Sequence, residues 1–147
     1  MTGVPEITVQ NAQRKVRLAL APLRQFAVDA LQRCLALAEP APSDLRTLEQ
    51  VTLVLVSDRR MSALHAQFLQ ITGPTDVITF QHGDIFVSVE TAAANARRFR
   101  TTTDHEVRLY LVHGLLHLHG FDDTTPAQAR LMERTQQHLL RALTGVE

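Results

Sequence analysis

Between Val107 and Leu118 the chain leaves no polar face for a helix: Val107, Leu109, Leu111, Val112, Leu115, Leu116 and Leu118 surround the axis. A helix apolar nearly all round must be covered on every side, so it is expected at the centre of the fold. Two histidines interrupt it. His113 and His117 are four residues apart, so their imidazoles lie one above the other on one helical face and can reach a single cation about 2.0–2.1 Å away. Gly120 is placed to release the chain in a left-handed conformation, and the turn it permits can return an aspartate as an oxygen ligand. Two histidines alone are better explained as satisfied core residues; the glycine and the paired aspartates turn the reading toward a metal. The ligand set read from the spacing is His113, His117 and Asp123, one zinc ion per chain, with Asp122 competing for the third place until the fold decides. Three protein ligands leave a fourth position open, which is the arrangement of catalytic zinc. His119, about 200° around the axis from His117, should point elsewhere, to the surface or behind the ligands.

The remaining elements follow from periodicity and punctuation. Glu6 to Gln10 reads as a short strand, Pro22 to Ala38 as an amphipathic helix, and Glu39 to Asp44 as a proline-marked loop. Val51 to Val56 is a buried strand followed by a helix from Asp58 to Leu69. Asp76 to Phe80 and Ile85 to Ser88 form a hairpin around Gln81-His82-Gly83-Asp84. Helices are expected from about Glu90 to Arg100, from a capping box at Thr103 to Glu106, and from Thr125-Pro126 to about Leu143. The fold class is therefore α/β (α+β): a single domain over residues 1–147, with a mixed sheet of about four strands covered by about five helices and the metal site on the central one.

Composition narrows the class of function. With 15 basic and 15 acidic residues the net charge is zero, so tight non-specific nucleic-acid binding through total charge is not expected. The basic residues are nearly all arginine, which suits bidentate phosphate contact; Arg59-Arg60 form a pair and Arg97, Arg98 and Arg100 cluster. Taken singly, each cluster is better explained as a solvated helix-end charge favoured by the macrodipole, and RNA contact stays open. No apolar run approaches the ~20 residues of a membrane span. The start Met-Thr-Gly-Val-Pro-Glu has no signal-peptide pattern, and the lone Cys34 has no internal partner, so a reducing cytoplasm is expected.

The metal spacing admits several chemistries. Zinc brings the pKa of bound water to roughly 7 and stabilises charge on a phosphoryl oxygen, which suits phosphodiester hydrolysis. Zinc peptidases share the histidine spacing but carry a glutamate base directly after the first histidine, where this chain has Gly114. Two histidines and a carboxylate also match non-haem iron oxygenases, and metal analysis separates these readings.

His113-Gly114-x-Leu-His117-Leu-x-Gly120-Phe121-Asp122-Asp123 resembles the signature of the YbeY family, bacterial metal-dependent, single-strand-specific endoribonucleases of ribosomal RNA maturation and ribosome quality control. Pro74-Thr75-Asp76-Val77-Ile78-Thr79-Phe80 is similar to that family's Pro-Thr-Asp-Val-Leu-Ser-Phe run, and Gly83-Asp84-Ile85 to its Gly-Asp-Ile strand. The resemblance implies zinc, single-stranded RNA or ribosomal RNA as substrate, partners among small-subunit ribosomal proteins, and a mixed sheet covered by helices; its non-enzymatic alternative is a ribosome assembly factor with a structural metal, distinguished by whether the protein cleaves RNA in a chelator-sensitive way. It also groups Asp76 with the metal motif at the edge of the cleft, whereas the residues alone allow a mere strand entry with Asp76 capping a turn. Two departures stand out. The family usually has a third histidine where this chain has Asp123, and a Tyr-Arg pair where it has Phe68-Leu69. Leucine cannot replace a guanidinium, so a surface arginine is expected to take over the phosphate contact, the candidates being Arg59, Arg60, Arg97 and Arg98.

Overall fold

Residues of β2 and β4 alternate between two apolar environments, and that alternation builds the molecule. The computed structural model describes residues 4–69 and 76–145; Pro74, Thr75 and the Leu69 side chain lie outside the described residues. The elements are β1 (Glu6–Asn11), α1 (Leu20–Leu35), β2 (Gln50–Val56), α2 (Asp58–Leu69), β3 (Val77–Thr79), β4 (Asp84–Ser88), α3 (Val89–Phe99), α4 (Thr103–Leu118) and α5 (Pro126–Thr144). The sheet order is β1-β2-β4-β3, with β1, β2 and β4 parallel and β3 antiparallel at one edge. Among the described residues it is the expected single-domain mixed sheet of four strands and five helices.

Val51, Leu53, Leu55, Ile85 and Val87 face the main core under α1, α4 and α5. Val54, Val56, Ile78 and Phe86 belong to a smaller cluster with Met61 and Leu64 of α2 on the opposite face. The two-residue period of a strand sorts these side chains. α4 packs against α1, α3, α5, β3 and β4, which is why its apolar residues need no polar face. Leu111, Val112, Leu115 and Leu116 are completely buried; each fully buried side chain of this kind stabilises by about 1.5–3 kcal/mol.

The boundaries differ in detail from the sequence expectation. α1 opens at Leu20, so Pro22 stands third in the helix, still within the first turn where its missing N–H is harmless. α4 is capped by Thr102 rather than Thr103: its hydroxyl accepts from the His105 N–H at 3.1 Å, while Glu106 accepts from the Thr101 hydroxyl at 2.6 Å instead of closing a capping box. The capping box at Thr125 and Gln128 is present as expected. Ser88 caps α3 and donates to Asp58, whose carboxylate also accepts from the Thr91 hydroxyl at 2.6 Å. That network ties the start of α2 to the start of α3.

Candidate metal centre

α4 ends in a Schellman turn. The Phe121 N–H donates to the Leu116 carbonyl at 3.0 Å and the Gly120 N–H to the His117 carbonyl at 3.2 Å, with Gly120 at φ +94°. A Cβ at Gly120 would lie 2.3 Å from the Ala41 carbonyl oxygen, so both the backbone conformation and the close approach require glycine. The reversal returns Asp123 to the histidine face. His113 Nε2 and His117 Nε2 are 3.0 Å apart, and Asp123 Oδ2 is 3.5 Å from the first and 3.6 Å from the second.

This triangle can be tested against a metal. A tetrahedral ion with ligand bonds of about 2.0–2.1 Å needs donor atoms about 3.3–3.4 Å apart, and the three separations bracket that value. Two imidazole nitrogens 3.0 Å apart repel through their lone pairs unless a proton or a cation lies between them. Burial, followed by the charge of His113, holds the His117 pKa below its ordinary value, with Asp123 acting in the opposite sense. Its neutral, ligating form is thereby favoured. Asp122 does not share the triangle: its carboxylate accepts the Asp123 N–H at 2.8 Å and faces a neighbouring cavity.

One residue of the site was not foreseen. Gln136 of α5 offers its amide oxygen to His113 Nδ1, so the ring nitrogen must carry the proton and Nε2 is left bare toward Asp123. No local pattern signals it, because the partners are 23 positions apart.

The expectation that His119 is at the surface or behind the ligands fails on its first branch and finds no ligand contact on its second. The ring is completely buried on the other side of α4, donating from Nε2 to the Leu37 carbonyl at 2.8 Å and accepting at Nδ1 from the Ser43 hydroxyl at 2.8 Å. Leu45 N–H also donates to the Leu118 carbonyl at 2.9 Å. Arg46 reaches back to Glu39 and to the carbonyls of Leu35 and Leu37. The loop after α1 is thus fastened to the end of the histidine helix.

A cleft passes the triangle in two arms. One, of about 370 Å³, runs between Pro40, Pro42, Asp44, Asp122 and Leu131; the other, of about 240 Å³, follows the edge strand from Val77 to Gln81. His117 and Gln81 belong to both arms, and His113 to the second. Among the described residues lining either arm there is no arginine or lysine. Gly114 lies against the sheet, where a Cβ would be 2.8 Å from Ile85 and 3.1 Å from Thr79. A side chain at 114 would be driven into the sheet, so the glutamate base of zinc peptidases has no room here.

The other sequence candidates are spread around the fold. Asp76 precedes β3, caps its own strand by accepting the Val77 N–H at 2.8 Å, and acts on Tyr110, one turn before His113. Burial pushes the Tyr110 hydroxyl up to about 12 against a hydrogen bond from Asn95, and the Asp76 charge adds to the rise. Arg59 and Arg60 are exposed in the first turn of α2, beside the start of α3. α2 reaches the cleft only at its far end, where Phe68 meets Phe80, roughly 12 Å further along the helix. Arg97 and Arg98 are exposed at the end of α3, beside the opening of α4, with Arg98 over the Phe99 ring. Neither pair is brought to the histidines.

Comparison with known proteins agrees with this architecture. The family model described as Endoribonuclease YbeY matches residues 8–144. Endoribonuclease YbeY of an Anaeromyxobacter species is 39% identical over 63% of this chain, which spans only 54% of that relative's length. The namesake of Bacteroides thetaiotaomicron is 31% identical over 65% of the chain and 74% of its own length, and that of Syntrophus aciditrophicus 29% identical over 95% and 90%. The solution structure of TM1509 from Thermotoga maritima matches 95% of the chain and 89% of its own with a TM-score of 0.65 at 25% identity. With the family model covering nearly the whole fold, this chain belongs to the endoribonuclease YbeY family.

Proposed function

We propose that this protein is a zinc-dependent, single-strand-specific endoribonuclease that acts in the cytoplasm on ribosomal RNA during maturation and ribosome quality control. The observation that carries the reading is the triangle of His113 Nε2, His117 Nε2 and Asp123 Oδ2 facing an open cleft, in a chain of an endoribonuclease family. His113, His117 and Asp123 would hold the ion. A divalent cation held there would supply Lewis acidity, lowering the pKa of bound water toward neutrality and offsetting charge on a phosphoryl oxygen. Gln136 keeps the His113 Nε2 lone pair directed at the site, and the anchored proline loop walls one side of the cleft.

Asp76 is proposed to shape the end of the cleft through Tyr110. Arg59, Arg60, Arg97 and Arg98 are proposed to hold outer phosphates of a longer RNA, which suits their places at helix ends away from the histidines. Small-subunit ribosomal proteins are the proposed partners. No helix among the described residues is long and apolar enough to cross a membrane.

The test is cleavage of end-labelled single-stranded RNA, with a duplex as control. Cleavage should vanish with chelator, return with zinc, and be lost with the bound metal in His117→Ala. Persistence of cleavage in chelator would refute the metal role. A full equivalent of zinc without any cleavage would favour the assembly-factor alternative.

A further inference from the structure

Among the described residues the cleft arms contain no arginine or lysine, and one of them carries Asp44 and Asp122, which repel phosphate. Affinity for a polyanion near the triangle must therefore draw on something other than side-chain cations. At the open edge of the sheet stands a group of rings. Phe68 meets Phe80 edge-on at 5.4 Å, Phe86 meets it edge-on at 5.6 Å, and His82 lies nearly parallel to it at 5.5 Å and 20°. Phe80 also lines the arm of the cleft that holds His113 and His117.

Two of these rings offer surface to a ligand. Phe68 is 54% exposed, unusual for phenylalanine, and the His82 side chain is 67% exposed at the hairpin turn. An exposed turn side chain is ordinarily free to rotate. His82 instead has Phe80 beneath it and the Asp84 carboxylate 2.8 Å from Nε2, so its outer face is held ready. Preorganisation of this kind reduces the entropy lost on binding.

We propose that Phe80, His82 and Phe68 form a stacking platform for an unpaired base flanking the phosphate at the triangle, an inference that rests on the endoribonuclease function above. Bases stack on aromatic side chains with little regard to sequence, because every base has a π-face. A base inside a duplex has both faces covered by its neighbours and offers nothing to such a surface. The platform thereby provides a physical ground for single-strand preference in a chain whose described cleft residues include no arginine or lysine to grip the backbone.

The test uses the full chain loaded with zinc and a short oligoadenylate, alongside the same oligomer with abasic positions. Loss of one stacked base corresponds to roughly a five- to 150-fold weakening. Phe68→Ala and His82→Ala, both at exposed positions, should raise KM within that range with kcat and zinc content near the parent. His82→Phe should restore KM, and the abasic oligomer should be bound equally poorly by parent and variants. Unchanged KM in both alanine variants, or a His82→Phe variant as weak as His82→Ala, would overturn the platform. If the parent cleaves no RNA at all, the endoribonuclease reading falls and the platform with it.

Discussion

Replacing Gln136 by methionine keeps the length of the side chain and removes the acceptor that His113 Nδ1 uses. The position is only half-buried, so the change should alter thermal stability little. Its effect should fall on the metal. With the amide oxygen present, the imidazole is held as the Nδ1–H tautomer with Nε2 bare; without it, the ring divides its population between two tautomers and turns more freely about χ2. On coordination the ring becomes more acidic and the Nδ1–H donor stronger, so the lost bond matters more in the bound state than in the free one. Partners of this kind are worth about 10- to 100-fold in metal affinity, or about 1.4–2.7 kcal/mol. Gln136→Glu retains an acceptor and adds charge, and should bind at least as tightly as the parent. Competition for zinc against a chromogenic chelator gives the affinities, and a melting curve controls for folding. A methionine variant within twofold of the parent would show that the bond does not hold His113 for the ion.

Asp123→Ala should lose most of the zinc, Asp123→His should retain it, and Asp122→Asn should be close to the parent; metal analysis after gel filtration checks the order, and a larger loss in Asp122→Asn would reverse the ligand assignment. Gly120→Ala forces a Cβ into a left-handed turn against the Ala41 carbonyl, so a loss of about 1–3 kcal/mol is expected in urea unfolding, and an unchanged midpoint would contradict the close approach. Cys34 is completely buried, and burial pushes its thiol to about 12, so a thiol reagent at pH 9 should meet on the order of one thiolate in a thousand and label only unfolded chains. Rapid labelling of the native protein at that pH would contradict the packing of α1.

The parts of the site legible in the sequence are those whose geometry is local. A four-residue spacing and a glycine past the helix end determine how His113, His117 and the turn relate, whatever surrounds them. The choice of Asp123 over Asp122 depends on the path after Phe121, which the loop at Ala41 constrains across the fold. His119 stands off the face that His113 and His117 share, as its spacing requires, but a helix apolar all round does not reveal which neighbour covers which side. Thr101, Thr102 and Thr103 offer three hydroxyls in succession, and the packing of α3 on α4 decides the capping frame. Four strands are recognisable from β-branched and apolar runs and the turn residues between them, while their order requires β2 to pair with β4 past an edge strand that precedes β4 in the chain.

The fastening of the proline loop to the end of α4 has a consequence for the order of assembly. The three donor atoms come from residues 113–123, so the triangle can form as soon as one helix and its turn exist. The wall of the cleft depends instead on pairs 76 and 82 positions apart, Ser43 with His119 and Leu37 with His119. Closing a loop of that length rather than one of about ten residues costs about 2 kcal/mol more in chain entropy. During synthesis the loop emerges early and waits without its anchor until residue 119 has been added. The triangle and the cleft wall are then completed by the same short stretch of chain, so a growing chain presents neither the candidate ion site nor a walled groove before that point.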